Sequence, residues 1–388
     1  MIGKDILTEE ITILFVVEGS AINRGMNTGL ENLAWGLAEQ GIEVHILCGG
    51  KPNTNHGYRI PENVKYHFTG KKWKNPLNVK QLYKQILEKY NIDVVIGWII
   101  NIATLAAITK NKNVIFIPNQ GQLAPSSIYV KYLKLVLKRR ISFFDAIQIM
   151  YYIAKFPTIP KKIISISESV QKSCIRTYSL DPNKCMVIPR GVDTSLFKYK
   201  EREKLNEKPI LLFAGNIKPP KGITDLIDSL NYIDKPVKVI LCGKGEPEYI
   251  SFLQTKVESY KIGHELIFAG PQSQEELSRI YRECDMFVFP SHSEGLGKAL
   301  IEAMSCGCPI ICSDIDTFKE VIIHEENGLM AKVNSPESLA KCIVKYLDDP
   351  YLLKKCSINA RKTIEEHYSK QVEVDRWLQL LESEKTSG

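Results

Sequence analysis

Short runs of consecutive apolar residues recur along the chain, separated by longer segments whose apolar positions return every three or four residues. In the first half the runs lie at 11–17, 43–48, 93–97, 113–118 and 162–167, and in the second at 209–214, 237–242, 266–270, 286–289 and 309–312. Runs this short, apolar almost throughout and bounded by Gly, Pro or Asn, predict strands covered on both faces, the pattern of a parallel sheet. Between the first two, Leu30, Leu33, Ala34 and Leu37 line one face of a helix that Gly41 ends, which predicts a strand–helix–parallel strand unit. From Ser335 onwards the pattern is helical. Two such series in 388 residues predict two α/β domains, since single cores stop growing beyond roughly 250–300 residues. The charged stretch Lys198-Tyr-Lys-Glu-Arg-Glu-Lys-Leu-Asn-Glu-Lys208 reads as a linker. It divides the chain into a domain over 1–200, a second over 201–368 and a tail helix over 369–388.

Hydrophobic content of 44% and charged content of 24% are those of a soluble globular protein, and no run of eighteen apolar residues is present to span a bilayer. The first ten residues carry Asp5, Glu9 and Glu10 and lack the apolar core of a secretory signal, so a cytoplasmic location is expected. Ten cysteines are scattered without a disulfide framework. The tightest set, Cys306, Cys308 and Cys312, lies at or in an apolar strand with no second cluster to complete four ligands, so no zinc is expected.

A net charge of +7 suits nucleic acid, an anionic membrane or an acidic substrate. No helix-turn-helix, RNA-binding signature or basic tail stands out, so nucleic acid is not expected as a partner. Lys131, Lys134 and Lys138 recur at helical spacing beside Val130, Leu133 and Leu137, making 129–140 a basic amphipathic helix, and the apolar stretch 141–154 that follows is interrupted by Asp145. Two readings of 129–154 stand: core packing, or a surface whose lysines meet anionic headgroups while apolar side chains dip below them.

The richest candidate chemistry lies in Pro290-Ser-His-Ser-Glu294-Gly-Leu296-Gly297-Lys298-Ala-Leu-Ile-Glu302-Ala-Met-Ser-Cys-Gly307-Cys-Pro309. After the run 286–289 it reads as loop, helix and strand, the helix starting at Lys298 and ended by Gly307. Glu294 then lies ahead of the helix and Glu302 about 7–8 Å along its axis, at about 1.5 Å per residue. Between them stand the backbone N–H groups near Gly297, which with the helix dipole suit a phosphate, while an ionised carboxylate accepts both hydrogen bonds of a vicinal diol. A sugar, a diphosphate and a ribose need partners in this order. Two further glycine loops follow strands. Gly25 and Asn27 belong to the loop after 11–17, where a plain turn explains the glycines as well as a ligand does. Asn216 and Lys221 belong to the loop after 209–214, with Lys221 a compact cation at a strand's carboxyl end.

The stretch 290–309 resembles the signature of the family 4 (GT4) glycosyltransferases, and the likeness extends over nearly the whole chain, most closely across 209–330. Gly25-Met-Asn27 with Leu33-Ala-Trp-Gly-Leu-Ala-Glu-Gln-Gly41 looks like that family's first glycine loop and helix. Ser165-Ile-Ser-Glu168 looks like its strand-to-helix turn, Val187-Ile-Pro-Arg190-Gly191-Val-Asp193 like its domain-ending motif, and 366–381 like the helix that crosses back to the first domain. The resemblance implies a GT-B fold, two Rossmann-like domains facing across a cleft. It also implies retaining transfer of a hexosyl unit from a nucleotide-diphosphate sugar to an acceptor hydroxyl. The implied setting is bacterial surface-polysaccharide or glycolipid assembly, with a sugar or lipid-linked acceptor; the membrane-facing reading of 129–154, at the inner face of the membrane, would suit a lipid-linked one.

On this resemblance Lys221 and the amides around Leu296, Gly297 and Lys298 meet the leaving diphosphate, Glu294 holds the transferred sugar and Glu302 the ribose. The loop at Gly25 and Asn27 faces the donor phosphate, and the strand end at Gly243 borders the base. No metal or other cofactor is implied: a donor phosphate oxygen takes the acceptor's proton, and Asp314 and Asp316, which have metal-triplet spacing, follow a strand where cations already face the diphosphate. The chain departs from the family pattern at several positions. Gln120 stands where a histidine near the sugar is usual, and it either tunes donor choice or is a loop glutamine without function. Asn216 replaces an arginine that grips the diphosphate, a loss that Lys218 or Arg190 would compensate; asparagine is commoner at Arg190 itself. Two glycines are usual at Asp316 and Thr317. Two rivals remain open: another GT-B enzyme such as a nucleotide-sugar epimerase, and a non-catalytic sugar-nucleotide-binding protein.

Overall fold

A computed structural model describes residues 11–17, 28–49, 60–68, 76–98, 114–117, 147, 151, 160–201, 205–260 and 263–386. The chain forms two compact units, one of Met1–Pro189 with Val374–Gly388 and one of Arg190–Glu373.

In the first unit β1 (Thr12–Val17), β2 (Glu43–Cys48), β3 (Val64–Phe68), β4 (Val94–Trp98), β5 (Val114–Ile117), β6 (Lys162–Ser165) and β7 (Cys185–Val187) form one sheet in the order β3-β2-β1-β4-β5-β6-β7. All its pairings are parallel, with Ile13 of β1 opposite Val44 on one side and Val94 on the other. In the second unit β8 (Ile210–Ala214), β9 (Lys238–Cys242), β10 (Glu265–Gly270), β11 (Met286–Phe289), β12 (Ile310–Ser313) and β13 (Leu329–Ala331) form a parallel sheet in the order β10-β9-β8-β11-β12-β13. Strands β4, β11 and β12 are buried at every residue, as continuous apolar runs require when helices cover both faces. Among the described residues three strands escape the apolar-run reading. They are the edge strands β3, β7 and β13, short and partly exposed.

The two sheets share one device. An aspartate precedes the strand on the far side of the switch point and holds the start of the first strand. Asp93 accepts from Thr12 N at 2.8 Å, and Asp285 accepts from Ile210 N at 2.6 Å and from Asn206 N and Nδ2, both at 2.9 Å.

The boundary between the units lies ahead of the expected linker. The division falls at Pro189–Arg190, ahead of the charged stretch 198–208, because residues 190–200 are bound into the second unit. Val192 bridges to Ser369, Ser278 Oγ donates to the Leu196 carbonyl at 2.7 Å, and Lys200 N donates to the Cys306 carbonyl at 3.2 Å. Buried Phe197 packs its ring against Tyr281, 6.1 Å between centroids. The last helix, Lys370–Thr386, starts in the second unit, and from Val374 it belongs to the first. Val374, Trp377, Leu380 and Leu381 complete the core that Leu33, Leu37, Phe15 and Ile46 begin.

Candidate functional site

In the second unit the chain order reverses beside β8, which lies between β9 and β11. Ligands of open parallel sheets approach the carboxyl ends of strands at such a reversal. The loop 215–222 leaves the end of β8 and the loop 290–297 leaves the end of β11, so the two loops that carry Lys221 and Glu294 rise from neighbouring strands.

The loops touch through backbone as well as side chains. Gly222 has φ +66°, and a Cβ there would stand 1.9 Å from the Pro290 carbonyl oxygen, so only glycine allows this approach. His292 N donates to the Pro220 carbonyl at 3.0 Å, and His292 Nε2 lies 2.8 Å from Asp225 Oδ2. Lys221 Nζ forms an ion pair with Glu294 Oε1, which also accepts from Ser291 Oγ at 3.0 Å. Thr317 Oγ1 donates to the Glu294 carbonyl at 3.0 Å. Beneath them Phe289 lies between Phe213 and Phe318, with centroids 5.8 and 5.5 Å away.

The helix Lys298–Ser305 starts at Gly297, whose φ of +80° puts it in the left-handed region and which offers no side-chain cap. A helix leaves its first-turn N–H groups without intrahelical partners, so this start, directly after Leu296, is suited to an anion. Leu296 itself is buried. Glu302, one turn into the helix, is 4% exposed and lies 3.1 Å from Lys298 Nζ. Burial raises its pKa, and Lys298 and a hydrogen bond from Gln274 oppose that rise.

Of the remaining site residues inferred from sequence, Asn216 is exposed just past β8, and Gly243 N donates to the Gly270 carbonyl at 2.9 Å past the end of β9. Arg190 stands beside Glu373: burial lowers the guanidinium to about 10 and raises the carboxyl to about 7, while Glu373 accepts from Gly191 N at 2.7 Å. Gly25, Asn27 and Gln120 lie outside the described residues. So does most of 129–154, of which Ile147 and Tyr151 alone are described; both are helical and exposed.

Asp314 is used by backbone, accepting from Val333 N at 3.2 Å, while the Asp316 side chain is 90% exposed and pairs with Lys319. Cys306, Cys308 and Cys312 are buried in the core, with Cys308 Sγ 3.2 Å from Cys284 Sγ. Among the described residues no group of His, Cys, Asp and Glu is arranged to hold a metal ion. Sequence reading missed Ser291, His292, Thr317, Gln274 and Asp225. The first two lie inside the 290–309 motif, but Asp225, Gln274 and Thr317 come from other segments and only the fold brings them in.

Two family models match in tandem, Glycosyltransferase Family 4 over residues 23–196 and Glycosyl transferases group 1 over 197–363. The chain belongs to the family 4 glycosyltransferases, and its two Rossmann-like units are those of the GT-B fold. It is 28% identical to an uncharacterized glycosyltransferase of Methanocaldococcus jannaschii over 87% of this chain and 89% of that one. It is 26% identical to the capsular polysaccharide biosynthesis glycosyltransferase CapM of Staphylococcus aureus over 70% of each. The crystal structure of Anabaena HepE in complex with UDP-glucose has the same fold, with a TM-score of 0.72, 16% identity, and 96% of this chain and all of that one covered.

Proposed function

We propose that this glycosyltransferase moves a hexosyl unit from a nucleotide-diphosphate sugar to an acceptor hydroxyl with retention of anomeric configuration. The observation that carries the reading is the meeting of Lys221 and Glu294 at the carboxyl ends of β8 and β11, ahead of the helix that opens at Gly297. A cation and a helix start stabilise the charge that develops on a leaving diphosphate, a term commonly worth a few kcal/mol per well-placed donor. Glu294 holds hydroxyls of the transferred sugar, and Glu302 holds the ribose. Leu296, Gly297 and Lys298 offer the phosphate their backbone, while the strand ends at Asn216 and Gly243 border the rest of the donor. No metal takes part, and a donor phosphate oxygen accepts the proton of the attacking hydroxyl. The UDP-glucose held by Anabaena HepE supports a nucleotide-sugar donor for this chain, and the part of CapM in capsular polysaccharide biosynthesis supports an acceptor in surface-polysaccharide or glycolipid assembly.

The acceptor is a sugar or a lipid-linked sugar handled on the cytoplasmic side of a membrane. Exposed Ile147 and Tyr151, four residues apart in the stretch that follows the basic helix pattern, support membrane contact. Co-sedimentation with anionic vesicles that is unchanged after Lys131, Lys134 and Lys138 are made acidic rules out a contact through the basic helix.

The reaction is tested by thermal-shift screening against UDP, GDP, ADP and their sugars, because a ligand that binds only the folded state raises Tm. The stabilising donor is then incubated with and without acceptor sugars. A new glycoside with the donor's anomeric configuration supports the reading. A rearranged free sugar formed without acceptor indicates an epimerase, and donor binding with neither hydrolysis nor transfer indicates a binding protein.

A further inference from the structure

We infer that His292 and Asp225 are a positioning pair that keeps the Lys221 loop and the Glu294 loop in register while a donor is bound. The inference rests on the reading of Lys221 and Glu294 given under the proposed function.

Four contacts join the two loops: the Lys221–Glu294 ion pair, the bond from His292 N to the Pro220 carbonyl, the approach of Gly222 to Pro290, and the bond from His292 Nε2 to Asp225 Oδ2. The first of these is the one a donor consumes. A diphosphate at Lys221 competes with Glu294 for the ammonium, and sugar hydroxyls at Glu294 compete with Lys221 for the carboxylate. Once a donor is seated, the side-chain link between the loops is therefore the His292–Asp225 bond. Asp225 lies in the first turn of the helix Ile223–Ser229, directly after the Lys221 loop, and His292 lies two residues before Glu294. Their side chains are only partly exposed, 32% for His292 and 19% for Asp225, so water competes weakly for the bond. Each partner thus belongs to the segment that aims one of the two groups on the donor, and neither needs to touch the donor.

The test uses the full-length protein with His292→Ala, His292→Gln, Asp225→Ala and Asp225→Asn, alone and combined with Lys221→Ala. His292→Ala and Asp225→Ala should each lower kcat roughly 10- to 100-fold, the scale of a displacement of about 1 Å at a reacting group, with a smaller change in donor KM. His292→Gln, whose amide donates to Asp225, and Asp225→Asn, whose oxygen still accepts, should recover most of the loss. In the Lys221→Ala background the same alanine changes should cost clearly less, because only Glu294 is left to aim; a contribution to folding alone lowers activity by the same factor in both backgrounds. Equal factors in both backgrounds, or single alanine variants with wild-type kcat, overturn the inference. If an alanine variant does not fold, the glutamine and asparagine variants carry the test, and a large loss of kcat in both with Tm unchanged overturns it. A wild-type protein that binds donor but transfers no sugar overturns the functional reading and this inference with it, whereas active wild type with indifferent variants overturns the inference alone.

Discussion

Lys221 and Glu294 are ion-paired across the ends of two neighbouring strands, each with its side chain no more than 26% exposed. The pair neutralises the Lys221 ammonium, so on the proposed reading a donor diphosphate competes with the Glu294 carboxylate for it. Lys221→Ala should lower kcat on the order of 100- to 1,000-fold, the scale for removing one donor aimed at developing charge. It should also leave Glu294 with Ser291 Oγ in place of the ammonium. Steady-state kinetics with the stabilising donor measures this, and a loss confined to KM contradicts a role for Lys221 in the transfer step.

Glu302 should behave differently. As a ribose holder its replacement by Gln should raise donor KM more than it lowers kcat. Its pKa is raised by burial, so its contribution to stability is fully present below the ordinary carboxyl value and is lost as pH rises through the folded one. At neutral pH and without donor, Glu302→Gln should therefore have a higher Tm than wild type. A lower Tm refutes the assignment of net strain to the buried carboxylate.

A second titrating cluster lies in the first unit. His45 Nδ1 is 2.9 Å from His67 Nε2 and His45 Nε2 is 2.9 Å from Glu43 Oε1, with Tyr90 edge-on to the His45 ring and Lys65 and Lys89 near Tyr90. Burial lowers both imidazoles, His67 to about 4 with help from the charges of His45, Lys89 and Lys65. The unfolded chain then binds more protons than the folded one between about 4 and the ordinary value of 6.5. This stability is intact above that window and falls as pH drops through it. Tm measured from neutral pH down to about 4 should decline, and less steeply in His67→Phe, which keeps a ring beside His45 but cannot take a proton.

Asp285 is 2% exposed and accepts three bonds from Asn206 and Ile210. Asp285→Ala leaves two backbone N–H groups without this acceptor and should cost about 3 kcal/mol, since bonds to a charged acceptor contribute about 1.5–3 kcal/mol each and partners are only partly rehydrated. Urea unfolding measures it. Asp285→Asn, which keeps one acceptor oxygen, should lose less.

Trp377 is 1% exposed in the core of the first unit although it lies close to the end of the chain. Trp377→Ala should destabilise that unit by about 3–5 kcal/mol. Limited proteolysis should then cut within residues 1–189 before it cuts within 190–373.

Much of this protein was legible from the order of its residues. Apolar runs located ten of the thirteen strands among the described residues, since a strand covered on both faces needs no polar position. The misses, β3, β7 and β13, are edge strands whose partial exposure admits Lys65, His67 and Met186. The motif from Pro290 to Pro309 was equally readable, because Glu294, Gly297 and Glu302 are fixed to one loop and one helix by local geometry.

What the sequence could not assign was partnership across segments. Charge runs mark solvent exposure, so 198–208 reads as a linker; that the units divide by contact at Pro189–Arg190 follows from Val192, Phe197 and Lys200 binding into the second unit. Arg190 is a candidate for the diphosphate by its charge, and only the tertiary structure brings Glu373 beside it. By itself the sequence determined the strands covered on both faces, the glycine loops and the types of group at the site, because these depend on neighbours a few residues apart. Only the tertiary structure decided that Lys221 meets Glu294 and that His292 meets Asp225. Those pairs, 73 and 67 residues apart, are made by the parallel pairing of β8 with β11, and no local pattern encodes which two loops a sheet will bring side by side.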